Sequence, residues 1–405
     1  MLNEVGLSDL LYLVGKFSGL IGFVFLSLLI FSGDTARFFD RFFGMDKIIK
    51  FQRKFSIITM VFVLLHPIFF IISTGFVLPF LIPDFSVIPL ALGIVSLYLF
   101  LVIMFVSKIY KRISYTIWQY IHILTYVLFF FVLYHAINWG TDSGNFFIRI
   151  LYGVILTGII VGIFYRTNYK IKQKHLEKFY VDEVKNETHD TFTLILKSKS
   201  RLKFKPGQFC FLRLNKGELF ARHPFTISSS PNDKYLSFTV KQTGRFTEAL
   251  WELIKGEEVI VDGPFGNFLI RDDKCDLVFI AGGVGITPFM SMIKDKVQNG
   301  LEDQNVTLLY GSKTLADIIF KKYFDGIKEN WFKKVYVLSN DMPSGDLGEY
   351  ESGYINERII KKYVKKIDGS IFYICGPEGM RESILQTLKK LGVKNRDIII
   401  EDFFW

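Results

Sequence analysis

Long segments without a formal charge constrain the fold of this chain more than any other feature of its sequence. Phe55–Phe80 and Ile113–Ile137 contain no Lys, Arg, Asp or Glu. A helix needs about 20 apolar residues to cross a bilayer, and buried helices of soluble proteins are rarely so long. We therefore predict a helical membrane domain with five spans: Leu10–Phe31, Phe55–Phe80, Phe85–Ser107, Ile113–Ile137 and Phe146–Tyr165.

Basic residues on one side of these predicted spans indicate their orientation. Loops rich in Lys and Arg face the cytoplasm, whereas the opposite side of this chain carries mainly acidic residues. We therefore expect a multi-pass protein of the cell membrane with its N-terminus outside and its C-terminal half in the cytoplasm. This arrangement explains most of the formal net charge of +10, and no basic-aromatic motif predicts nucleic-acid binding. The basic residues are Arg37, Arg41, Lys47, Lys50, Arg53, Lys54, Lys108, Lys111, Arg112, Arg166, Lys170, Lys172 and Lys174.

The second half of the chain has the pattern of short strands. Val181–Ile270 alternates apolar and polar residues between turn signals, which predicts a small antiparallel β-barrel. From Asp276 onward apolar strands alternate with helical segments, as in a parallel α/β sheet. The predicted domains are an all-α transmembrane helix bundle over 1–170, a β-barrel over 175–270 and an α/β parallel-sheet domain over 271–405.

The segment Arg222–Ser228, with the sequence Arg-His-Pro-Phe-Thr-Ile-Ser, has side chains suited to a flavin nucleotide. Arg222 offers a planar guanidinium to a diphosphate, and Pro224 restricts the backbone. Phe225 offers an aromatic face to a flavin ring, while Thr226 and Ser228 supply hydroxyl groups for its polar edge. The sequence therefore predicts that this segment binds a flavin.

Two glycine-containing loops predict phosphate contacts. Gly244 and Thr247 stand at the start of a predicted helix, where free backbone N–H groups favour a pyrophosphate. Gly282–Pro288, with the sequence Gly-Gly-Val-Gly-Ile-Thr-Pro, follows a predicted strand and precedes a predicted helix, which is typical of a dinucleotide site although its spacing differs from GxGxxG. Cys375-Gly376-Pro377 follows the strand Ile371–Ile374.

These motifs, in this order, resemble those of the ferredoxin-NADP reductase family, and the whole chain resembles the NADPH oxidase and ferric reductase superfamily. The resemblance implies FAD at Arg222, His223, Pro224, Phe225, Thr226 and Ser228, with its phosphates at Gly244 and Thr247. It implies NADPH or NADH at Gly282, Gly283, Gly285, Thr287, Pro288, Cys375, Gly376 and Pro377. It also implies that Trp405 covers the flavin, with Phe403 as an alternative. Cys375, Thr226 and Trp405 are therefore the candidate catalytic residues.

The choice between the two nicotinamide cofactors rests on the segment Ser339-Asn340-Asp341. Relatives that prefer NADP often have Ser and Arg at this place for the 2′-phosphate. Lys313 is a further candidate for this contact, whereas Asp341 would repel the phosphate. The sequence favours NADPH only slightly.

Three histidines in the predicted spans, His66, His122 and His135, are candidate metal ligands. Ionisable residues within spans are usually functional, and the resemblance implies b-type heme. By resemblance His66 and His135 bind an outer heme and His122 an inner one, with a His66 and His122 pair as the alternative. Gln52 stands where many relatives have the fourth histidine.

The resemblance implies an oxidoreductase that moves electrons from cytoplasmic NAD(P)H through FAD and heme b to an acceptor outside. Oxygen, reduced to superoxide, is the first expectation. A ferric chelate is the second, and a separate extracytoplasmic protein partner is the third.

Overall fold

The computed structural model describes residues 6–109, 112–113, 115–173, 178–199, 201–271, 275–300, 304–340 and 349–401. The chain forms two compact units, Met1–His175 and Leu176–Trp405. The first unit is helical: α1 (Leu7–Asp34), α2 (Ala36–Phe43), α3 (Met45–Thr74), α4 (Leu78–Leu81), α5 (Ile88–Lys108), α6 (Tyr115–Trp139) and α7 (Phe146–Gln173).

Five of these helices, α1, α3, α5, α6 and α7, are long and apolar enough to cross a membrane, which agrees with the five predicted spans. Their outer faces leave large apolar side chains such as Ile57, Phe105 and Phe164 more than half exposed. Water would disfavour such a surface, whereas lipid would not. The α3 helix begins at Met45, so the basic residues Lys47, Lys50, Arg53 and Lys54, which precede the predicted second span, are also helical.

Small residues of α1 allow close packing against α3. A methyl group added to Gly15 would lie 3.1 Å from the Cβ atom of Phe69, and one added to Gly22 would lie 3.2 Å from Val63. Glycines on one face of a membrane helix commonly allow such an approach, because lipid provides little hydrophobic drive between helices. The core between the helices contains Phe23, Leu26, Ile30, Phe100, Ile103, Leu128, Phe129, Leu133 and Ile159.

Charged residues inside the spans have partners. Lys16 of α1 forms a 2.8 Å ion pair with Asp142, which precedes α7. Asp34, at the end of α1, accepts hydrogen bonds from Tyr126 of α6 at 2.6 Å and from Arg166 of α7 at 3.0 Å. These contacts lower the cost of placing charge in an apolar layer.

The second unit begins with an antiparallel sheet in the order β4-β3-β6-β1-β2-β5. Its strands are β1 (Phe179–Asn186), β2 (Thr191–Lys197), β3 (Phe209–Arg213), β4 (His223–Thr226), β5 (Leu236–Lys241) and β6 (Glu258–Phe265), with α8 (Arg245–Trp251) before β6. Ile227, directly after β4, pairs with Phe238 of β5. This bridge joins the two ends of the sheet and closes the predicted barrel.

A parallel sheet in the order β10-β9-β8-β7-β11-β12 follows. Its elements are β7 (Leu277–Gly282), α9 (Thr287–Asn299), β8 (Val306–Ser312), α10 (Lys321–Gly326), β9 (Phe332–Leu338), β10 (Tyr350–Ser352), α11 (Glu357–Tyr363), β11 (Ile371–Cys375), α12 (Glu378–Lys390) and β12 (Ile398–Glu401). The chain moves outward from β7 to β10 and then returns to β11 on the other side of β7. The strand order therefore reverses between β7 and β11, where open α/β sheets commonly bind ligands.

Hydrogen bonds connect the barrel to α9. Ser291 donates to the carbonyl oxygen of Ser229 at 2.6 Å, and Ser230 donates to Asp295 at 3.1 Å. Lys294 forms a 2.6 Å ion pair with Asp233. Because Ser229 follows the Arg222–Ser228 segment and α9 follows the Gly282–Pro288 loop, these contacts hold the two predicted sites close together.

Candidate flavin, nicotinamide and metal sites

A buried carboxylate positions the arginine of the predicted flavin segment. Asp262 of β6 is 1% exposed, and its Oδ2 atom lies 3.5 Å from Nη2 of Arg222 and 3.3 Å from Nη2 of Arg213. The Nε atom of Arg213 is buried, and none of the residues that the structure describes forms a hydrogen bond with it. Two guanidinium groups thus share one carboxylate, which leaves a net positive charge suited to a diphosphate.

The hydroxyl group of Thr226 fits a bound ligand. Thr226 is 4% exposed, and its Oγ1 atom is buried with no hydrogen-bond partner in the part of the chain that the structure describes. A buried hydroxyl without a hydrogen bond costs free energy, and a ligand that forms a hydrogen bond with it recovers that free energy. Ser228 is different, because its Oγ atom lies 3.1 Å from both Ser237 and Thr239 inside the barrel.

Aromatic rings lie beside this segment. The ring of His223 stacks on Phe246 of α8 with centroids 3.8 Å apart, and the ring of Phe225 lies nearly parallel to Phe246 at 6.0 Å. Burial lowers the pKa of His223, which favours the neutral ring at neutral pH.

At the start of α8 the Thr247 hydroxyl accepts from the backbone N–H of Gly244 at 3.0 Å and donates to its carbonyl oxygen at 2.8 Å. Thr247 therefore shapes this turn.

Thr226→Val is expected to raise the dissociation constant of FAD about tenfold, since it removes one buried hydrogen bond without changing the shape of the side chain. The control is Thr387→Val, whose hydroxyl donates to the backbone carbonyl of Ser383 in its own helix, α12, at 2.9 Å. Flavin-fluorescence titration of both variants measures the difference. Equal affinities in the two would show that Thr226 has no contact with FAD.

The predicted nicotinamide loops meet at the carboxyl edge of the parallel sheet. Gly282 ends β7, and α9 begins at Thr287 with Pro288 in its first turn. The Thr287 hydroxyl donates to the carbonyl oxygen of Val284 at 3.0 Å, which closes the loop. Gly283 has a φ of +54° and open space around its Cα atom. The exposed part of this loop thus leaves room for a ligand at the point where the strand order reverses.

Glycine is required where this loop contacts the segment after β11. A methyl group on Gly285 would lie 2.6 Å from the carbonyl carbon of Cys375, and one on Gly376 would lie 3.1 Å from the Cα atom of Gly282. A methyl group on Gly282 would lie 2.9 Å from Pro377. The structure therefore brings both predicted nicotinamide segments together. Cys375 is fully buried at the end of β11.

Gly285→Ala is expected to raise the KM for NAD(P)H at least tenfold, because the added methyl group forces the loops after β7 and β11 apart. Overpacking of this kind costs about 1–3 kcal/mol. Gly379→Ala, with no atom within 4 Å of the added group, is the matched control. Steady-state dye reduction gives both KM values, and an unchanged KM in Gly285→Ala would contradict this placement.

In the helical unit the structure brings His66 and His135 together. Their ring centroids are 6.2 Å apart, and their planes are almost perpendicular at 85°. Each Nδ1–H donates to a backbone carbonyl at 2.8 Å, His66 to Gly15 and His135 to Pro89. These bonds fix the tautomer and leave both Nε2 atoms as acceptors. Two neutral imidazoles at this separation are candidate ligands for a single metal ion.

The structure does not place His122 in this pair. Its ring stacks on Trp118, one turn earlier in α6, with centroids 4.9 Å apart, and its side chain is exposed. Trp405, Phe403 and Asp341 lie outside the described residues.

Sequence reasoning missed several residues that shape these sites. A methyl group on Gly19 of α1 would lie 2.6 Å from Cε1 of His66, and one on Gly93 of α5 would lie 2.6 Å from Nδ1 of His135. Each histidine ring thus lies directly over a glycine. The spacing of Gly15, Gly19 and Gly22 was the available signal for α1. No local signal pointed to Asp262.

Comparison with known families agrees with this architecture. Residues 18–133 match the ferric reductase like transmembrane component, residues 176–268 an FAD-binding domain, and residues 279–386 an oxidoreductase NAD-binding domain.

Individual relatives match the second unit. The chain is 31% identical over 164 residues to a subunit of the Na(+)-translocating NADH-quinone reductase from Pseudoalteromonas atlantica, which is 40% of each chain. The cytochrome P450 reductase GcoB of Amycolatopsis aligns over 56% of this chain and 69% of its own, with a TM-score of 0.50 and 26% identity. The FAD/NAD-binding domain of a Vibrio cholerae nitric oxide dioxygenase has the same TM-score, over 56% of this chain and 98% of its own, and at 21% identity supports the fold alone. The chain spans about two fifths of the length of the curated relatives that it matches.

Together, the five membrane-length helices, the barrel with its unpartnered Thr226 hydroxyl and the glycine loops define a transmembrane flavin-dependent NAD(P)H oxidoreductase. Within that class, the chain carries in this order regions that match the ferric reductase like transmembrane component, an FAD-binding domain and an oxidoreductase NAD-binding domain, a ferredoxin-NADP reductase-like fusion.

Proposed function

We propose that this protein moves electrons from cytoplasmic NAD(P)H across the membrane to an acceptor on the outer side. When bound, FAD would convert a two-electron hydride into single electrons and heme b would carry those electrons across the apolar layer. The chain's own residues would hold these groups: Arg222 and Thr226 for FAD, Gly282–Pro288 for the dinucleotide, and His66 with His135 for heme.

The facing pair of His66 and His135 is the observation that carries this proposal. A reductase that acts only on soluble partners has no use for two aligned imidazoles inside membrane-length helices. Both rings hydrogen-bond through Nδ1 to backbone carbonyls, which leaves the Nε2 atom of each ring available as an acceptor, and their centroids lie 6.2 Å apart. Two imidazoles oriented in this way would suit a heme iron bound by two histidines.

The ends of the helices support a cytoplasmic location for the second unit. Lys47, Lys50 and Lys54 lie in the first turns of α3, and Lys108 ends α5. Arg166 lies near the end of α7, which leads into the second unit. Because consecutive spans run in opposite directions, these basic residues share one side of the bundle, which the positive-inside rule places in the cytoplasm.

Oxygen is the acceptor that we propose first. Each NAD(P)H supplies two electrons, so two molecules of O2 would become two of superoxide while one proton is released on the nucleotide side. Ferric chelates are the second candidate. Transfer to a separate extracytoplasmic protein is the third.

We propose NADPH rather than NADH as the preferred donor, by a small margin. The backbone N–H of Asn340 donates to the carbonyl oxygen of Lys313 at 2.9 Å, and that of Ser339 donates to Ser312 at 3.1 Å. The ends of β8 and β9 therefore place Lys313 beside Ser339 and Asn340. An ammonium group in this corner favours a 2′-phosphate.

The purified full chain, supplied with FAD, heme and NADPH, is expected to reduce cytochrome c in a reaction that superoxide dismutase suppresses. Ferric-chelate reduction under anaerobic conditions and the ratio of kcat/KM for NADPH and NADH are measured in the same preparation. Cytochrome c reduction that the dismutase leaves unchanged would exclude superoxide and favour the other two acceptors. Absence of any heme reduction by NADPH would contradict the proposed function itself.

A further inference from the structure

The helix pair α1 and α3 repeats its contact geometry at two depths in the bundle. At one depth Gly19 of α1 lies against His66 of α3, and at the other a methyl group added to Gly33 of α1 would lie 3.6 Å from Nε2 of Gln52 of α3. The two contacts are fourteen residues apart on both helices, about 21 Å along the axis and close to four full turns. We call the depth of His66 the outer level and the depth of Gln52 the inner level. At the inner level, Gln52 has the same position on α3 relative to α1 as His66 has at the outer level.

Gln52 is already bonded within the helix pair. Its Nε2 atom donates to Oγ of Ser32 in α1 at 3.1 Å. The remaining amide oxygen is a hard donor and a poor substitute for the imidazole nitrogen that heme iron takes from a protein. The inner level thus lacks a ligand on the α3 side.

The α6 helix does not supply a ligand at the inner level either, because His122 points in a different direction from His135. His122 precedes His135 by thirteen residues, and at about 100° per residue the two rings point roughly 140° apart around a straight helix. An inserted residue would correct this difference, yet α6 is a continuous α-helix from Tyr115 to Trp139. The His122 ring instead stacks on Trp118 of its own helix.

His122 also lacks the support that fixes the outer pair. His66 and His135 each hydrogen-bond to a carbonyl of the neighbouring helix and lie over a glycine. Across the described residues no hydrogen bond to a ring nitrogen of His122 is found. His122 lies thirteen residues from His135 on α6, and the residue thirteen positions after Gly93 on the antiparallel α5 is Val106. At the level of His122, α5 therefore has a valine where a glycine makes room for the His135 ring.

A polar cluster ties three helices together at the inner level. Asp34, 5% exposed, binds Tyr126 of α6 and Arg166 of α7, and its Oδ2 atom is buried without a hydrogen-bond partner among the described residues. Arg166 also donates to the Tyr126 hydroxyl at 2.9 Å. This cluster connects α1, α6 and α7 in the half of the bundle where a second heme is expected by resemblance.

We infer that this chain binds a single heme, between His66 and His135, and that its inner level is closed to a second one. The inference rests on the proposed function, since it assumes that the outer pair binds heme. It makes the protein a one-heme carrier in which His122 is not a metal ligand.

The test is the ratio of heme to polypeptide in the purified full chain after expression with excess heme, together with a potentiometric titration of its reduced absorbance. The expected results are one heme per chain and one single-electron transition. His122→Ala is expected to keep that ratio and the reduced spectrum, whereas the same change at His135 on the same helix removes the absorbance. Gln52→His is expected to leave the ratio at one.

Two hemes per chain, or loss of half of the heme in His122→Ala, would overturn the inference while leaving the proposed function intact. A second bis-histidine heme in Gln52→His would overturn the assignment of a closed inner level. A chain that binds no heme would refute the proposed function and this inference with it. Because the ratio is measured on the unmodified protein, the outcome does not depend on whether His135→Ala folds.

Discussion

Gly19→Ala is expected to lower the heme content at least tenfold relative to the unmodified chain, although both proposed ligands, His66 and His135, remain. The added methyl group would lie 2.6 Å from Cε1 of His66, closer than non-bonded atoms approach. The ring must turn or α1 must move away from α3, and either change breaks the hydrogen bond from Nδ1 to the carbonyl of Gly15. Loss of the hydrogen-bond partner of a metal-ligating histidine commonly lowers metal affinity by about 10–100-fold.

The control for this experiment is Gly153→Ala in α7, where no atom lies within 4 Å of the added methyl group. Gly93→Ala should reproduce the loss from the other side, since its methyl group would lie 2.6 Å from Nδ1 of His135. Reduced-minus-oxidised spectra, normalised to protein, measure the heme that remains. Full heme content in both Gly19→Ala and Gly93→Ala would mean that these rings do not ligate iron.

Asp262→Ala is expected to destabilise the second unit by about 3 kcal/mol and to weaken FAD binding. Removal of one partner from a buried pair leaves an uncompensated charge, which typically costs about 3–5 kcal/mol. We take the lower end because the Arg222 side chain is one third exposed. For a unit of this size the loss corresponds to a fall in Tm of about 10 °C. FAD affinity should fall at the same time, because Arg222 loses the carboxylate that orients it.

Glu258→Ala, on the same strand, is the matched control. Glu258 pairs with Lys178 at 2.8 Å, and 62% of the lysine side chain is exposed. An exposed pair contributes at most about 1 kcal/mol. Thermal unfolding and FAD titration of the two variants separate a buried positioning charge from a surface one. Similar small effects in both would refute the role of Asp262.

The sequence was sufficient to predict the features that depend on composition and on the spacing of apolar residues. The five spans, the barrel and the parallel sheet follow from apolar length and alternation, and the structure has all three. The pairing of His66 with His135 was implied by resemblance, and the structure brings the two ring centroids to 6.2 Å. The meeting of Gly285 with Cys375 was implied only by resemblance.

Other features depend on three-dimensional register and were beyond the sequence. Whether His122 faces His135 depends on the continuity of α6, which residue spacing alone does not settle. The hydroxyl groups of Ser228 and Thr247 matched the motif, yet they bond within the protein because nearby acceptors and donors reach them first. Asp262 contacts Arg222 across two strands that are far apart in the chain, so no local pattern marks it.

The bond between Asp34 and Arg166 has a consequence for how this protein is made. The two residues are 132 positions apart and belong to the first and last spans. As a ribosome delivers the helices in order, Asp34 enters the membrane long before Arg166 is synthesised, and an unpaired carboxylate at that depth is costly. The carboxylate of Asp34 therefore gains its guanidinium partner only when the fifth span has been made. Chains that end before Arg166 are therefore expected to form a less stable helical unit than chains that include it.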